Sequence, residues 1–194
     1  DYLAKTRERF VIPDPAEQPR VMPVLMPGGD LATIWPERML YGILPDEQTH
    51  QLLLSRGWKE QDLSILEKQV SKRFNTAVTS STGRILDAAA ALLGICRKKT
   101  YDGEPAMKLE SAAYGASPET WEIPLTRIGT AEVLDTPSLL KQARDRFMSD
   151  PKDSQNIQQI AASIQYNLAR GIGVIACTPL QVQDYKPLRY PGAL

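Results

Sequence analysis

From Pro36 onward the chain repeats one theme: apolar residues at helical spacing, in segments opened by proline or acid and mostly closed by glycine. "PERMLYGIL" puts Pro36 at a first helical position, with Met39, Leu40 and Ile43 on one face. "PDEQTHQLLLSRG" is acidic at its start and closed by Gly57. "WKEQDLSILEKQVSKRF" places Leu63, Leu66 and Val70 on a third stripe, and "EPAMKLESAAYG" starts a further helix at Glu104 and Pro105. "DTPSLLKQARDRF" predicts a helix with a Thr136 cap and Pro137 at its first position. The longest element is expected in "SQNIQQIAASIQYNLARGIGVIAC", where Ile157, Ile160, Ala161, Ile164, Leu168 and Ile172 trace one stripe. Such stripes are core.

Strands are few. "RVMPVLMPGGD" predicts a short, proline-tolerant edge strand through Val21, Val24 and Leu25, ending in a Gly-Gly-Asp turn. "TWEIPLTRIGTAEVL" predicts a small hairpin around Gly129. The organisation read from these signals is an extended segment over 1–35, a helical lobe over 36–177 with a hairpin near 120–134, and an irregular tail over 178–194. The fold class is mainly α with a few short strands, α+β.

With 194 residues the chain is long enough for one sizeable core. Lys plus Arg and Asp plus Glu number 23 each, so no net field favours nucleic acid or an anionic membrane. No apolar run reaches the roughly 20 residues of a membrane span. Cys96 and Cys177 lie far apart, and His50 is the single histidine, so a self-contained zinc site is not expected. His50 stands in a charged helix and is a poor triad member. Unpaired cysteines fit a reducing compartment, the cytoplasm.

The stretch "TSSTGRILDAAAALLGI" asks for more than packing. One Ser or Thr suffices to cap a helix, and here Ser80, Ser81 and Thr82 stand in a row. Gly83 costs about 1 kcal/mol against alanine inside a helix, which makes sense where something approaches the backbone closely. Asp87, four residues on, lies above Gly83 on the same face, with Arg84 between them in sequence. A carboxylate there can accept hydrogen bonds from two vicinal hydroxyls, as ribose offers. An ordinary cap followed by a dipole-favoured Asp accounts for the same residues. Glu104, after the Asp102-Gly103 turn, and Asp30, in "MPGGD", are weaker candidates for a site wall, each also explained by turn and helix-start chemistry.

"MPGGDLATIWPERMLYGIL", "TSSTGRILDAAAALLGIC", "TYDGEPAMKLESAA" and "IAASIQYNLARGI", in this order, resemble the C-terminal part of the HypF carbamoyltransferases of nickel–iron hydrogenase maturation, in wording closest to archaeal ones. The resemblance covers about residues 18 to 177. It implies a partial lobe of an actin/sugar-kinase-like nucleotide-binding module, related to the TsaD transferases. It implies an enzyme that uses carbamoyl phosphate and ATP, by way of carbamoyl adenylate, to carbamoylate the C-terminal cysteine of its partner HypE. In that superfamily a glycine and an acid four residues later contact the nucleotide, the acid on the ribose. Gly83 and Asp87 occupy those places. The family's metal motif, phosphate-binding glycine loops and late Asp have no counterpart in these residues. The expectation is therefore a fragment that binds ATP, ADP or the adenylate in part, holds no divalent metal and does not turn over alone. A related O-carbamoyltransferase or TsaD-like enzyme, or a noncatalytic helical interaction domain prone to self-association, are the alternatives.

Overall fold

Alternation organises the first element of the computed structural model, which describes residues 21–128 and 131–177. In β1 (Val24–Pro27), Val24 and Met26 are buried and Leu25 between them is partly exposed. β1 pairs antiparallel with β2 (Thr76–Thr79), Val24 opposite Thr79 and Pro27 opposite Thr76. The Gly-Gly turn follows, with Gly28 and Gly29 at φ 83° and 55°. A short helix α1 (Asp30–Ile34) leads to α2 (Pro36–Ile43), with Pro36 in the first turn as expected. α2 lies hard against β1. A Cβ at Gly42 would run into the Leu25 carbonyl and come within 2.6 Å of Pro27 Cδ, so only glycine fits.

α3 (Glu47–Ser55) is capped by Asp46, whose carboxylate accepts from Thr49 N at 3.0 Å. α4 (Glu60–Lys72) ends on Arg73 in the left-handed region, and Asn75 follows with φ 50°. That reversal lets the chain run straight into β2. α5 (Thr82–Leu92) is central: Ile85, Ala88, Ala89, Ala90, Ala91 and Leu92 are all fully buried. Small alanines let helices approach closely, and α2 and α6 (Glu104–Ala113) both pack on α5.

The hairpin of β3 (Leu125–Ile128) and β4 (Ala131–Leu134) feeds α7 (Thr136–Ser149), which packs on α8 (Ser154–Cys177). α7 is capped one residue earlier than the sequence reading placed it. Asp135 accepts from Ser138 N at 3.1 Å, while Thr136 is buried with its hydroxyl unbonded among the described residues. On α8, Ile160, Ala161, Ile164 and Leu168 are buried, with Ile157 and Ile172 packed against them. A smaller core joins Tyr41, Leu53, Leu63 and Leu66. The described residues are thus mainly helical with short strands. Residues 1–20 of the expected extended segment and the expected tail over 178–194 lie outside the described residues.

Buried polar ties fix how these elements meet. Arg144, 1% exposed, reaches from α7 to both oxygens of Asp46 (2.5 and 2.6 Å) and to the Thr49 hydroxyl at 3.0 Å. Arg56 donates to the last carbonyls of α5, Ala91 O at 2.5 Å and Leu92 O at 2.7 Å. Buried Glu37 accepts from Arg97 Nε at 2.7 Å and from the Trp58 indole at 2.6 Å. Asn167 and Ser163 on α8 bind the backbone of Glu119 and Trp121, pinning the segment before the hairpin.

Candidate functional site

Ser81 is the residue before α5, and its side chain caps nothing. The Thr79 hydroxyl instead accepts from Ser81 N at 3.2 Å, and Arg84 N donates to the Ser81 carbonyl. The expected run of capping hydroxyls therefore leaves the first amides of α5 without a side-chain acceptor. Gly83 is open: a Cβ there would meet only Ser81 Oγ, at 3.4 Å. An alanine would fit, so the fold does not require glycine here.

Asp87, one turn beyond Gly83 as the spacing places it, is not a free carboxylate. It is 2% exposed, and its Oδ2 lies 2.9 Å from Arg84 Nη1. That contact is an ion pair outside hydrogen-bond geometry, since Oδ2 accepts no hydrogen bond among the described residues. Burial pushes the carboxyl above the usual range, with Arg84 and Lys99 pulling against it. Stacking over Gly83 thus does not by itself deliver a free sugar-binding carboxylate. The stereochemical support for a ribose contact is weaker than it was from spacing alone.

Glu104 belongs to the same neighbourhood. It is 4% exposed and accepts from Thr100 N at 2.5 Å and the Thr100 hydroxyl at 2.8 Å, with Lys108 Nζ at 2.7 Å. Lys108 and the two Thr100 donors hold it down to about 2. Glu104 therefore anchors the loop before α6. Asp102 pairs with Lys99 Nζ at 2.8 Å, a bond that lowers its carboxyl. Lys99 N in turn donates to the Ile34 carbonyl, and Lys98 sits over the Trp35 ring, tying this loop to the end of α1.

Asp30 is exposed, in a turn held beside Asn75 by Gly28 N. The β1–β2 register puts that turn at the opposite end of the ladder from Ser81, while Asp87 and Glu104 both act on the Cys96 thiol and so share one region. The sequence reading took Asp102 only as a turn residue and gave Lys99, Thr100 and Lys108 no role beside it. Their signal was the (i, i+3) and (i, i+4) charge spacing in "KTYDGEPAMK".

His50 is half-buried and pairs with Glu60 at 3.0 Å. Cys96 is a buried free thiol whose burial raises it. No three His, Cys, Asp or Glu side chains among the described residues are placed to hold a metal ion. No helix among them is long and apolar enough to cross a membrane. A cavity of about 350 Å³ lined by Glu47, Gln48, Gln51, Asp145 and Met148 includes none of the candidate residues.

Residues 18–189 match the family model described as "Carbamoyltransferase, Kae1-like Domain, second subdomain". The chain belongs to the HypF carbamoyltransferase family. A probable HypF of Methanocaldococcus jannaschii is 48% identical over 90 residues, covering 44% of this chain and 12% of that protein. The HypF of Rhodobacter capsulatus is 37% identical over 97 residues, covering 50% of this chain and 13% of its own length. The crystal structure of a full-length HypF in a phosphate- and nucleotide-bound form superposes with TM-score 0.65 at 26% identity, covering 78% of this chain and 20% of that one. The HypF of T. kodakarensis gives TM-score 0.65 at 30% identity, covering 80% and 21%. The mainly helical lobe is therefore that of HypF chains, and the aligned stretch is a small part of each.

Proposed function

We propose that the chain contributes the adenosine-facing lobe of a HypF-type carbamoyltransferase. The full reaction would use carbamoyl phosphate and ATP, pass through carbamoyl adenylate, and carbamoylate the C-terminal cysteine of HypE. The observation that carries this is the family match over residues 18–189, which includes Gly83, Arg84 and Asp87 at the head of α5. The likeness to a HypF solved in a nucleotide-bound form supports a nucleotide as ligand.

In this reading the open backbone at Gly83 takes the close approach, and Asp87 holds the ribose hydroxyls once Arg84 yields. Glu104 fixes the loop beside it, and Asp30 is a weaker candidate for the site's wall. An adenylate leaves readily, so orientation and charge neutralisation matter more than a strong base. A divalent metal would supply phosphate neutralisation. In this reading the lobe contributes sugar binding.

The test is titration of the chain with ADP while following the amide resonances of Gly83 and Asp87. Shifts that saturate, and that disappear in Asp87→Ala with the fold retained, are the expected result, without carbamoyl transfer by the chain alone. Unchanged spectra at millimolar ADP would favour a noncatalytic interaction domain. Two observations speak for that second reading: Asp87 is buried in an ion pair, and Phe74 beside β2 and Val78 within it stand exposed.

A further inference from the structure

Around the loop between α5 and α6, three carboxylates each carry a cation close in sequence: Asp87 with Arg84, Asp102 with Lys99, Glu104 with Lys108. Two of the three are saturated. Lys99 makes a direct hydrogen bond to Asp102, and Glu104 accepts from Thr100 twice besides its pairing with Lys108. Asp87 differs. Its Oδ2 is buried, feels the guanidinium at 2.9 Å and accepts no hydrogen bond among the described residues. A buried carboxylate oxygen without a directed donor is an unmet demand. The Arg84 side chain is 18% exposed against 2% for Asp87, so the cation has the readier path to water.

We propose that Arg84 is a built-in competitor for the Asp87 carboxylate, which a vicinal diol displaces when it binds. The inference rests on the reading of Asp87 as the sugar-facing acid and deepens it. Two hydroxyl donors would give Oδ2 the hydrogen bonds that the guanidinium does not. Arg84, once displaced, would regain water. The exchange lowers apparent affinity, because the binding-competent state must first break the pair. Burial raising the Asp87 carboxyl agrees with a weakly satisfied anion.

The experiment compares adenosine with 2′,3′-dideoxyadenosine on the full chain and on Arg84→Met, Arg84→Lys and Asp87→Asn. Removing the cation should tighten adenosine about two- to fivefold, the scale of a partly exposed ion pair. Arg84→Lys should behave as the parent, and dideoxyadenosine should bind alike to all four. In the ligand-free protein, carboxyl-carbon NMR should show Asp87 titrating higher in Arg84→Met than in the parent. If Asp87→Asn weakens adenosine but Arg84→Met does not tighten it, the competition is overturned and the ribose reading stands. If Asp87→Asn binds adenosine as the parent does, both fall together. An Asp87 titration indifferent to Arg84→Met, or no adenosine binding by any variant, also overturns the proposal.

Discussion

At Asp87 a helix that is otherwise alanine and leucine buries a carboxylate against an arginine one turn back. Burial raises this carboxyl in the folded chain, so ionisation at neutral pH opposes folding. The sign follows directly. Stability is lost as pH rises through the raised folded value and is recovered below the ordinary carboxylate range. Asp87→Asn, which keeps the shape without the charge, should therefore raise the melting temperature at pH 7 and lose that advantage in acid. A lower melting temperature at pH 7 would mean that the Arg84 pair outweighs burial. Glu104 has the opposite sign. Held at about 2, it contributes stability that is present above the ordinary Glu range and fades as pH falls toward 2. Glu104→Gln should remove that part of the acid limb in a pH series of thermal melts. An unchanged acid limb would show the Thr100 and Lys108 contacts to be absent in solution.

Among elements, α3 and α7 are joined through one cation that cannot reach water. Asp46 both caps α3 and holds Arg144, and burial of Asp46 is outweighed by those bonds, leaving its carboxyl lowered. Asp46→Ala strands a buried guanidinium as well as removing a cap. The Arg144 end of the pair is buried but the Asp46 side chain is 42% exposed, so chemical denaturation should show a loss above the roughly 1 kcal/mol of a cap and below the roughly 3–5 kcal/mol of a fully buried pair. A loss below about 1 kcal/mol, the value of a cap alone, would rule the buried tie out. At Gly42 the added methyl of an alanine has the Leu25 carbonyl in its way, and overpacking typically costs about 1–3 kcal/mol. The helices were legible because their apolar stripes run for several turns. β2 was not: "TAVT" is too short for alternation to register, and what sets it off is the left-handed backbone at Arg73 and Asn75. The α7 cap was misplaced by one residue because "DT" offers two capping side chains and Thr136 turns inward. Gly83 and Asp87 were legible as neighbours on a face. The inward turn of Asp87 was not, because helical spacing fixes an angle around the axis and says nothing of what packs against it.

Over the whole molecule, the two-stranded sheet is finished on one side only. α2 covers β1, as the Gly42 contact shows, while β2 has β1 as its sole strand partner among the described residues. Phe74 and Val78, beside and within that strand, are 73% and 68% exposed. An unpaired strand edge flanked by large apolar side chains is a template for another strand. The stretch aligned with the HypF crystal structures is about a fifth of those chains, so most of what could cover this edge in a longer protein is not part of the described lobe. In the 194-residue chain on its own, β2 of a second copy, paired antiparallel about a two-fold axis, would complete this edge. Sedimentation velocity should then show a dimer that grows with concentration. Val78→Lys combined with Phe74→Ser should abolish it without lowering the melting temperature, because neither side chain belongs to the core. A chain that stays monomeric at high micromolar concentration, or a double variant that associates as before, would show that this edge is protected in some other way.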